Sequence, residues 1–268
     1  MTEAVNNEQG SVKLERQGAV AVLILSRTHA LNAITWEMYK QFQEYLQQLA
    51  EDSSVRALVI RGDGEKALAA GTDISQFEGF TGADGIAYEK RIDKIIDELE
   101  NFPKPTIAAV HGYAVGGGMM ISATCDLRYG TPDAQFGAPM ARTLGNCLSL
   151  ANYQRLDRQL GSMVLKDLLF TSRLLKAEEA LSRGFLTAIF DQENFFDEVM
   201  AIAERISKNA PLTIEATKEA LNRIHQTQAS ALDEDSFDDV VSKVYGSDDF
   251  AEGVKAYMEK RKPNWQGK

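Results

Sequence analysis

Two loops of small residues are the segments of this sequence that offer chemistry without side chains. Ala-Ala-Gly-Thr-Asp at residues 69–73 and Gly-Gly-Gly at residues 116–118 each follow an apolar stretch typical of a buried strand. Either loop alone is typical of a tight turn. Together they let a ligand touch main-chain N–H groups, and exposed amides stabilise an oxyanion, particularly at a helix N-terminus such as the one predicted after Gly118.

A third glycine segment, Gly62-Asp-Gly64-Glu-Lys-Ala67, fits the GxGxxG/A spacing of dinucleotide-binding loops. In such loops the glycines have no side chains, so the backbone can approach a pyrophosphate at the start of a helix. Here the next four residues, Leu-Ala-Ala-Gly, break a helix, and Asp63 and Glu65 would face the phosphates. We therefore interpret the segment as a surface turn. A nicotinamide-dependent dehydrogenase stays as a rival that an NAD titration followed by fluorescence would test.

Short apolar strands and amphipathic helices alternate around these loops. Strands are predicted at residues 20–25, 55–60, 106–110 and 126–129, with a loop over residues 61–72. Helices are predicted after Thr35, a capping residue type, around residues 92–99 and from residue 119. Such alternation favours an α/β class with largely parallel strand pairing.

The last quarter of the chain has a different pattern. From about residue 210 it reads as helix to residue 261, with Pro211 in the first turn, where proline is tolerated. We therefore predict a core over residues 1–209 and a helical portion over residues 210–268. Its Leu, Ile and Phe stripe packs either inside the same chain or against another copy, and the sequence does not choose.

Composition narrows the class of protein. The 268 residues are 44% hydrophobic and 25% charged, which excludes a disordered tail, a collagen-like repeat and a disulfide miniprotein. Lys and Arg total 29 against 39 Asp and Glu, and the net charge of −10 argues against nucleic-acid and anionic-membrane partners. The two cysteines form no CxxC pair, and no apolar run approaches the roughly 20 residues that cross a bilayer. We expect a cytoplasmic protein with reduced thiols.

The glycine segments also carry a family resemblance. In order and spacing, the chain resembles the crotonase superfamily of enoyl-CoA hydratases and isomerases from about Val12 to Gly267. The matching motifs are Ala30-Leu-Asn-Ala33, Gly62-x-Gly64-x-x-Ala67-Leu-Ala-Ala-Gly71-Thr-Asp73-Ile74, the stretch from Pro103 to Gly118, Cys125-Asp126, and Ala134-Gln-Phe-Gly137. The resemblance implies a spiral of ββα units, a helical C-terminal portion that forms trimers or hexamers, and an acyl-CoA substrate. Coenzyme A then enters as part of the substrate, and no separate cofactor is expected.

Family roles carry over onto particular residues. The resemblance implies that the backbone amides of Thr72 and Gly117 hold the thioester carbonyl and stabilise an enolate. It also implies a coenzyme A path along two further segments. The residues that would line this path are Ala30, Leu31, Ala70, Gly71, Asp73 and Ile74. Ser75 departs from the pattern, since many relatives have lysine there.

The largest departure concerns two glutamates that hydratases of the family use as acid and base. Met120 and Met140 stand at those positions, and a thioether neither activates water nor donates a proton. The resemblance suggests an enoyl-CoA hydratase, whereas these side chains do not support that chemistry. The alternatives are another reaction in the same scaffold, such as decarboxylation, and a non-catalytic binder of CoA esters.

Other reactive residue types near these positions have functional and structural interpretations. Arg142, Asn146 and Cys147 follow Met140, and Arg142 could hold a substrate carboxylate. We interpret Cys147 as a small core residue and His111 as structural. Asp73 is predicted to cap a turn and Asp126 to accept hydrogen bonds.

Overall fold

Two β-sheets and eleven α-helices make up the described part of the chain, which in this computed structural model comprises residues 9–229 and 234–268. The strands are β1 Ser11–Gln17, β2 Val20–Ser26, β3 Ala57–Gly62, β4 Ala67–Ala69, β5 Thr106–Val110, β6 Tyr113–Val115, β7 Leu127–Gly130, β8 Gln135–Gly137, β9 Leu175–Lys176 and β10 Ala188–Ile189. The helices are α1 Trp36–Glu51, α2 Gly82–Glu100, α3 Gly117–Thr124, α4 Met140–Thr143, α5 Leu150–Leu160, α6 Ser162–Thr171, α7 Ala177–Ser182, α8 Phe195–Ser207, α9 Pro211–Ala229, α10 Asp238–Tyr245 and α11 Asp248–Met258.

From β3 to β8, consecutive strands alternate between the two sheets. The six-stranded sheet has the order β1-β2-β3-β5-β7-β10, and the four-stranded sheet has the order β4-β6-β8-β9. Pairing is parallel except between β1 and β2 and between β8 and β9. The pairs β3/β4, β5/β6 and β7/β8 each give one strand to each sheet before the chain enters a helix. This is the spiral of ββα units, so the predicted fold class is confirmed.

The apolar strands of the larger sheet are buried on both faces, which explains why they show no alternation of apolar and polar residues. On β2, Leu23 faces one hydrophobic cluster and Val22 the other, and Leu58 and Val59 repeat this division on β3. Helix α8 covers the second face, where Phe195 is buried. Hydrophobic packing therefore covers this sheet on both faces.

Most predicted elements are present with shifted ends. The Thr35 side chain accepts a hydrogen bond from the Met38 amide and caps α1 as predicted. Thr81 caps α2 in a capping box with Asp84, so this helix begins about ten residues before its predicted apolar stripe. Strand β4 lies inside the predicted loop over residues 61–72. Its neighbour in the second sheet, which is distant in sequence, stabilises a segment too short to be recognised alone.

The turn after β3 does not begin a helix. Residues 63–66 bend back into β4, as the interpretation of this segment as a surface turn predicts. Gly62 is required for close approach, because an added Cβ would overlap the backbone oxygen of Ala67. In a dinucleotide-binding loop a helix begins directly after the strand. Here strand β4 follows β3 instead, so this described segment does not have that geometry.

The described residues from 211 to 258 are mostly helical, so the last helix ends three residues before the predicted end at residue 261. The apolar residues of these helices lie in two different environments. In α10 and α11, Val241, Tyr245 and Phe250 are buried with Phe77 and Leu144 in a third hydrophobic cluster of the same chain. In α9 the corresponding residue types lie at the surface of the single chain. These are Leu212, Leu221 and Ile224, which are 76%, 50% and 54% exposed.

Candidate active site

Three loops meet at one edge of the smaller sheet. They follow the carboxyl ends of the neighbouring parallel strands β4, β6 and β8, at residues 70–73, 116–118 and 138–141. The Gly116 amide donates to the Gly137 carbonyl oxygen at 2.9 Å, which joins the second loop to the third. A Cβ added to Gly116 would lie 3.3 Å from the Gly71 Cα, so the first two loops are in van der Waals contact. The two glycine loops identified in the sequence are therefore adjacent.

Two backbone amides in these loops have no hydrogen-bond acceptor among the described residues. The Gly71 carbonyl and the Asp73 amide both bond Ile34, so the Thr72 N–H points to the opposite side of this extended segment. Gly117 is the first residue of α3, where an amide has no intrahelical acceptor. A Cβ on Gly117 would lie 3.6 Å from Thr72 Oγ1, so these two residues are neighbours.

Two tyrosine hydroxyls form hydrogen bonds with the side-chain hydroxyl of Thr72. Its Oγ1 lies 2.8 Å from the hydroxyl of Tyr39 and 2.9 Å from that of Tyr88. Burial raises the pKa of Tyr39 to about 12 and raises the pKa of Tyr88 well above its ordinary value, so both hydroxyls stay neutral. Tyr39 was not identified from the sequence, because a single tyrosine on an amphipathic helix gives no local signal of a hydrogen-bonding role.

Met120 and Met140, the residues at the two positions predicted for an acid and a base, both pack in the largest hydrophobic cluster. Met120 on α3 is buried, while Met140 begins α4 and is half-buried. Met140 also lines a cavity of about 430 Å³ together with Ala138, Asn146 and Tyr153. Neither thioether titrates, so the side chains at these two positions provide no acid or base.

The segments predicted to line a coenzyme A path are joined by direct contacts. The Ala70 amide donates to the Leu31 carbonyl oxygen at 2.9 Å, which brings the loop containing Ala30 against residues 70–74. Leu31 has a φ of 51°, in the left-handed region that non-glycine residues rarely adopt. The Asp73 side chain accepts from the Ser75 amide, which confirms its predicted capping role, and it also pairs with Arg27 at 2.8 Å.

A buried carboxyl beside this site was not identified from the sequence. Glu89 is 4% exposed, and its oxygens accept hydrogen bonds from the Tyr245 hydroxyl at 2.5 Å and the Ser149 amide at 2.8 Å. Burial raises the pKa of Glu89 to about 8. A signal was available, because Glu89 follows Gly85 by four residues and precedes Ile92 by three, on the buried stripe of α2.

The remaining candidates divide between core and surface. Cys147 is buried in the third hydrophobic cluster, as predicted for a core thiol, and burial raises its pKa to about 12. His111 is buried, and burial lowers its pKa; it lines a separate cavity with Arg61. Asp126 accepts from the amide and hydroxyl of Thr106, as predicted. Arg142 is exposed on α4.

Two other kinds of site are absent from residues 9–229 and 234–268. No cluster of three or more His, Cys, Asp or Glu side chains there has the arrangement of a metal site. No helix in those ranges is long and apolar enough to cross a membrane.

The ββα spiral with its adjoining glycine loops defines a crotonase-type fold, and comparisons with known proteins agree. A family model described as enoyl-CoA hydratase/isomerase matches residues 15–268. The short-chain-enoyl-CoA hydratase of Clostridium acetobutylicum is 34% identical over 258 residues, which are 95% of this chain and 97% of that protein. The crotonyl-CoA hydratase of Syntrophomonas wolfei is 31% identical and covers 96% of this chain and 98% of its own.

Solved structures resemble the chain over nearly its whole length. Methylmalonyl-CoA decarboxylase in complex with 2-nitronate-propionyl-CoA has a TM-score of 0.87 at 30% identity and covers 96% of this chain and 99% of its own. An enoyl-CoA hydratase/carnithine racemase from Magnetospirillum magneticum has a TM-score of 0.77 at 28% identity, with coverage of 97% and 98%. The chain belongs to the enoyl-CoA hydratase/isomerase family.

Proposed function

We propose that this chain is an acyl-CoA enzyme that stabilises a thioester enolate with the backbone amides of Thr72 and Gly117. The observation that carries the proposal is the pair of neighbouring amides without an acceptor, on loops whose backbones are in contact. Removing one such donor elsewhere lowers turnover by about 10²- to 10³-fold. The Gly117 amide also lies at the positive end of α3, which favours an oxyanion.

Coenzyme A would follow the path implied by the family motifs. The joined segments around Ala30 and Leu31 and around residues 70–74 form one continuous wall beside the two amides. Ala70, Gly71, Asp73 and Ile74 would contact the pantetheine and adenine portions. Solved structures of methylmalonyl-CoA decarboxylase in complex with 2-nitronate-propionyl-CoA and with 2S-carboxypropyl CoA support an acyl-CoA ligand.

The reaction at the α-carbon depends on Met120 and Met140. Hydration and double-bond isomerisation need an acid or base at the site, and neither methionine supplies one. Decarboxylation is the second candidate, because the bond to the carboxylate breaks, its electron pair enters the enolate, and carbon dioxide leaves without a base. Solvent then supplies the proton at the α-carbon. The structural likeness to methylmalonyl-CoA decarboxylase supports decarboxylation. The sequence identity to enoyl-CoA hydratases supports hydration.

The proposed substrate class indicates a metabolic role for the chain. An acyl-CoA lyase or isomerase of this family acts in fatty acid metabolism, with coenzyme A arriving on the substrate rather than as a resident cofactor. We further propose a cytoplasmic homotrimer or homohexamer without nucleic-acid or membrane partners. The exposed apolar residues of α9 support an assembly, and the net charge of −10 supports the absence of anionic partners.

A panel of CoA esters tests the proposal. Crotonyl-, butyryl-, malonyl- and methylmalonyl-CoA are incubated with the chain in deuterated buffer, and mass spectrometry follows bound complexes and product masses. Hydration adds one water to the thioester, whereas decarboxylation removes carbon dioxide and leaves deuterium at the α-carbon. Binding without turnover would favour the non-catalytic alternative. Failure of every thioester to bind more tightly than free coenzyme A would overturn the proposal.

A further inference from the structure

The Tyr39 hydroxyl lies between the two loops that carry the proposed oxyanion amides. It is 2.8 Å from Thr72 Oγ1 in the first loop. A Cβ added to Gly117 in the second loop would lie 2.5 Å from the same oxygen, so the hydroxyl packs directly against the Gly117 main chain. Tyr39 belongs to α1, outside both loops. One buried oxygen therefore contacts both residues whose amides are proposed to hold the thioester.

The direction of this hydrogen bond follows from burial. Tyr39 is 1% exposed, and Thr72 Oγ1 is the one hydrogen-bond partner of its hydroxyl among the described residues. A buried hydroxyl proton without an acceptor is unfavourable, so Tyr39 donates to Thr72. Thr72 Oγ1 makes a second hydrogen bond, at 2.9 Å, with the hydroxyl of Tyr88 on α2. Two helices therefore hold one side chain of the loop.

The backbone hydrogen bonds around Thr72 do not fix this residue by themselves. The Gly71 carbonyl accepts from the Ile34 amide at 2.8 Å, and the Asp73 amide donates to the Ile34 carbonyl at 2.9 Å. Both bonds go to one residue, so they leave Thr72 free to turn about the line that joins them. The Thr72 side chain projects away from this extended backbone, and its two hydrogen bonds oppose such a turn. They therefore also determine the direction of the Thr72 N–H.

Aromatic packing fixes the positions of the two tyrosine hydroxyls. The Tyr88 ring meets the Phe77 ring edge-on with centroids 4.9 Å apart, and the Trp36 ring with centroids 5.6 Å apart. The Trp36 ring also lies 6.2 Å from the Tyr39 ring. Because burial keeps both phenols neutral, neither hydroxyl places a negative charge beside a developing enolate.

We propose that Tyr39 and Tyr88 are positioning residues, which hold the Thr72 amide at the angle where it and the Gly117 amide donate to the same thioester oxygen. The inference rests on the proposed function, since it requires an enolate at those two amides. The tyrosines act through Thr72 and need no contact with the acyl group. Their effect is larger for the enolate than for the neutral thioester, because hydrogen bonds to a charged acceptor are stronger and lose more when a donor is misaligned.

The test measures how tightly the intact chain binds an enolate mimic and a neutral thioester. The mimic is 2-nitronate-propionyl-CoA, whose negative charge is conjugated with the thioester carbonyl, and the neutral partner is propionyl-CoA. Isothermal titration gives both dissociation constants, and their ratio reports enolate stabilisation without requiring turnover. General damage to the pocket weakens the binding of both ligands, whereas misaligned amides change the ratio.

Tyr39→Phe, Tyr88→Phe and Thr72→Val each remove one or both hydrogen bonds and keep every backbone amide. We expect each variant to lower the wild-type preference for the nitronate by about 10-fold, while the affinity for propionyl-CoA changes less than about 3-fold. Thr72→Ser keeps the hydroxyl and should bind the nitronate more tightly than Thr72→Val. Tyr45→Phe removes a hydroxyl from the same helix as Tyr39 and should keep the ratio of the wild type.

A wild-type preference that persists in all three variants would overturn the inference and leave the proposed function intact. A parallel loss of affinity for both ligands would also overturn it, because the tyrosines would then only support the fold. Equal binding of both ligands by the wild type would overturn the proposed function together with the inference. The three variants change three different segments, so a variant that fails to fold leaves the other two to decide.

Discussion

Gly117 offers a backbone amide, and the structure leaves no space for a side chain on it. An added Cβ would lie 2.5 Å from the Tyr39 hydroxyl, so a clean test of the amide first removes that oxygen. In a Tyr39→Phe background, Gly117→Ala keeps the N–H and Gly117→Pro removes it. Proline is tolerated at the first position of a helix, which Gly117 occupies. We expect thioester turnover by the proline variant to be about 10²- to 10³-fold below that of the alanine variant.

Circular dichroism of both double variants provides the control for folding. A substrate dissociation constant within a few-fold between them would place the effect on turnover rather than on binding. Equal turnover in two folded variants would mean that the enolate is stabilised elsewhere.

Met120 and Met140 predict weak hydration of crotonyl-CoA by the wild-type chain. General acid and base groups each contribute about 10²- to 10⁴-fold, so turnover should be well below about 10 per second. Met120→Glu combined with Met140→Glu should raise hydration only partly, because Met120 is buried and a carboxylate there would be desolvated. Loss of the enoyl-thioester absorbance measures the rate. Wild-type turnover at ordinary enzyme rates would show that other residues supply the acid and base.

Glu89 should make stability depend on pH. Its pKa of about 8 in the folded chain, against an ordinary value of 4.5, means that the folded state binds more protons between those values. The free energy of unfolding therefore falls as the pH rises through this window, by up to about 1.4 kcal/mol per pH unit, and levels off above it. Denaturant unfolding from pH 5 to 9 measures the slope.

Glu89→Gln cannot ionise, so it should flatten the slope between pH 5 and 8. Its amide oxygen can still accept from the Ser149 amide, while its NH2 group can only donate, to the Tyr245 oxygen. Glu37→Gln makes the same change at an exposed position of α1 and should leave the slope of the wild type. Identical slopes in the wild type and Glu89→Gln would mean that Glu89 is already ionised in the folded chain.

At the scale of elements, helix α10 packs on α2, where the Tyr245 hydroxyl bonds Glu89. Gly85 permits this contact, because a Cβ there would overlap the ring of Tyr245. Gly85→Ala should therefore lower the free energy of unfolding by about 1–3 kcal/mol, although alanine is the better helix former. Ala87→Gly, exposed on the same helix, measures the propensity effect alone and should lower stability by about 1 kcal/mol. A more stable Gly85→Ala variant would contradict the packing of Tyr245 on α2.

At the scale of the whole molecule, α9 presents the apolar residues that a second copy would cover. Leu221 and Ile224 lie three residues apart on this helix and are about half exposed in the single chain. We expect light scattering at micromolar concentration to give three or six times the chain mass of 29.6 kDa. Leu221→Asp combined with Ile224→Asp should shift the mass downward. A monomeric wild type would contradict this prediction.

Much of the fold was determined by local sequence. Residues 20–25 and 107–110 are continuously apolar, which indicates strands covered on both faces, and both strands are present. Thr35 determined where α1 begins. The two glycine loops were recognisable because only small residues allow close approach of two backbones, and the structure places them in contact.

Tertiary structure alone decided the surroundings of the site. Strand β4 has three residues and depends on β6, which begins more than forty positions later, so no local pattern could identify it. Tyr39 and Tyr88 both bond Thr72, although Tyr39 lies on α1 and Tyr88 on α2. Glu89, Asn146 and Tyr245 are spread over 156 positions, from Glu89 to Tyr245, and form one network. Hydrogen bonds between such distant residues depend on how the chain packs, whereas residue types and spacing report only local preferences.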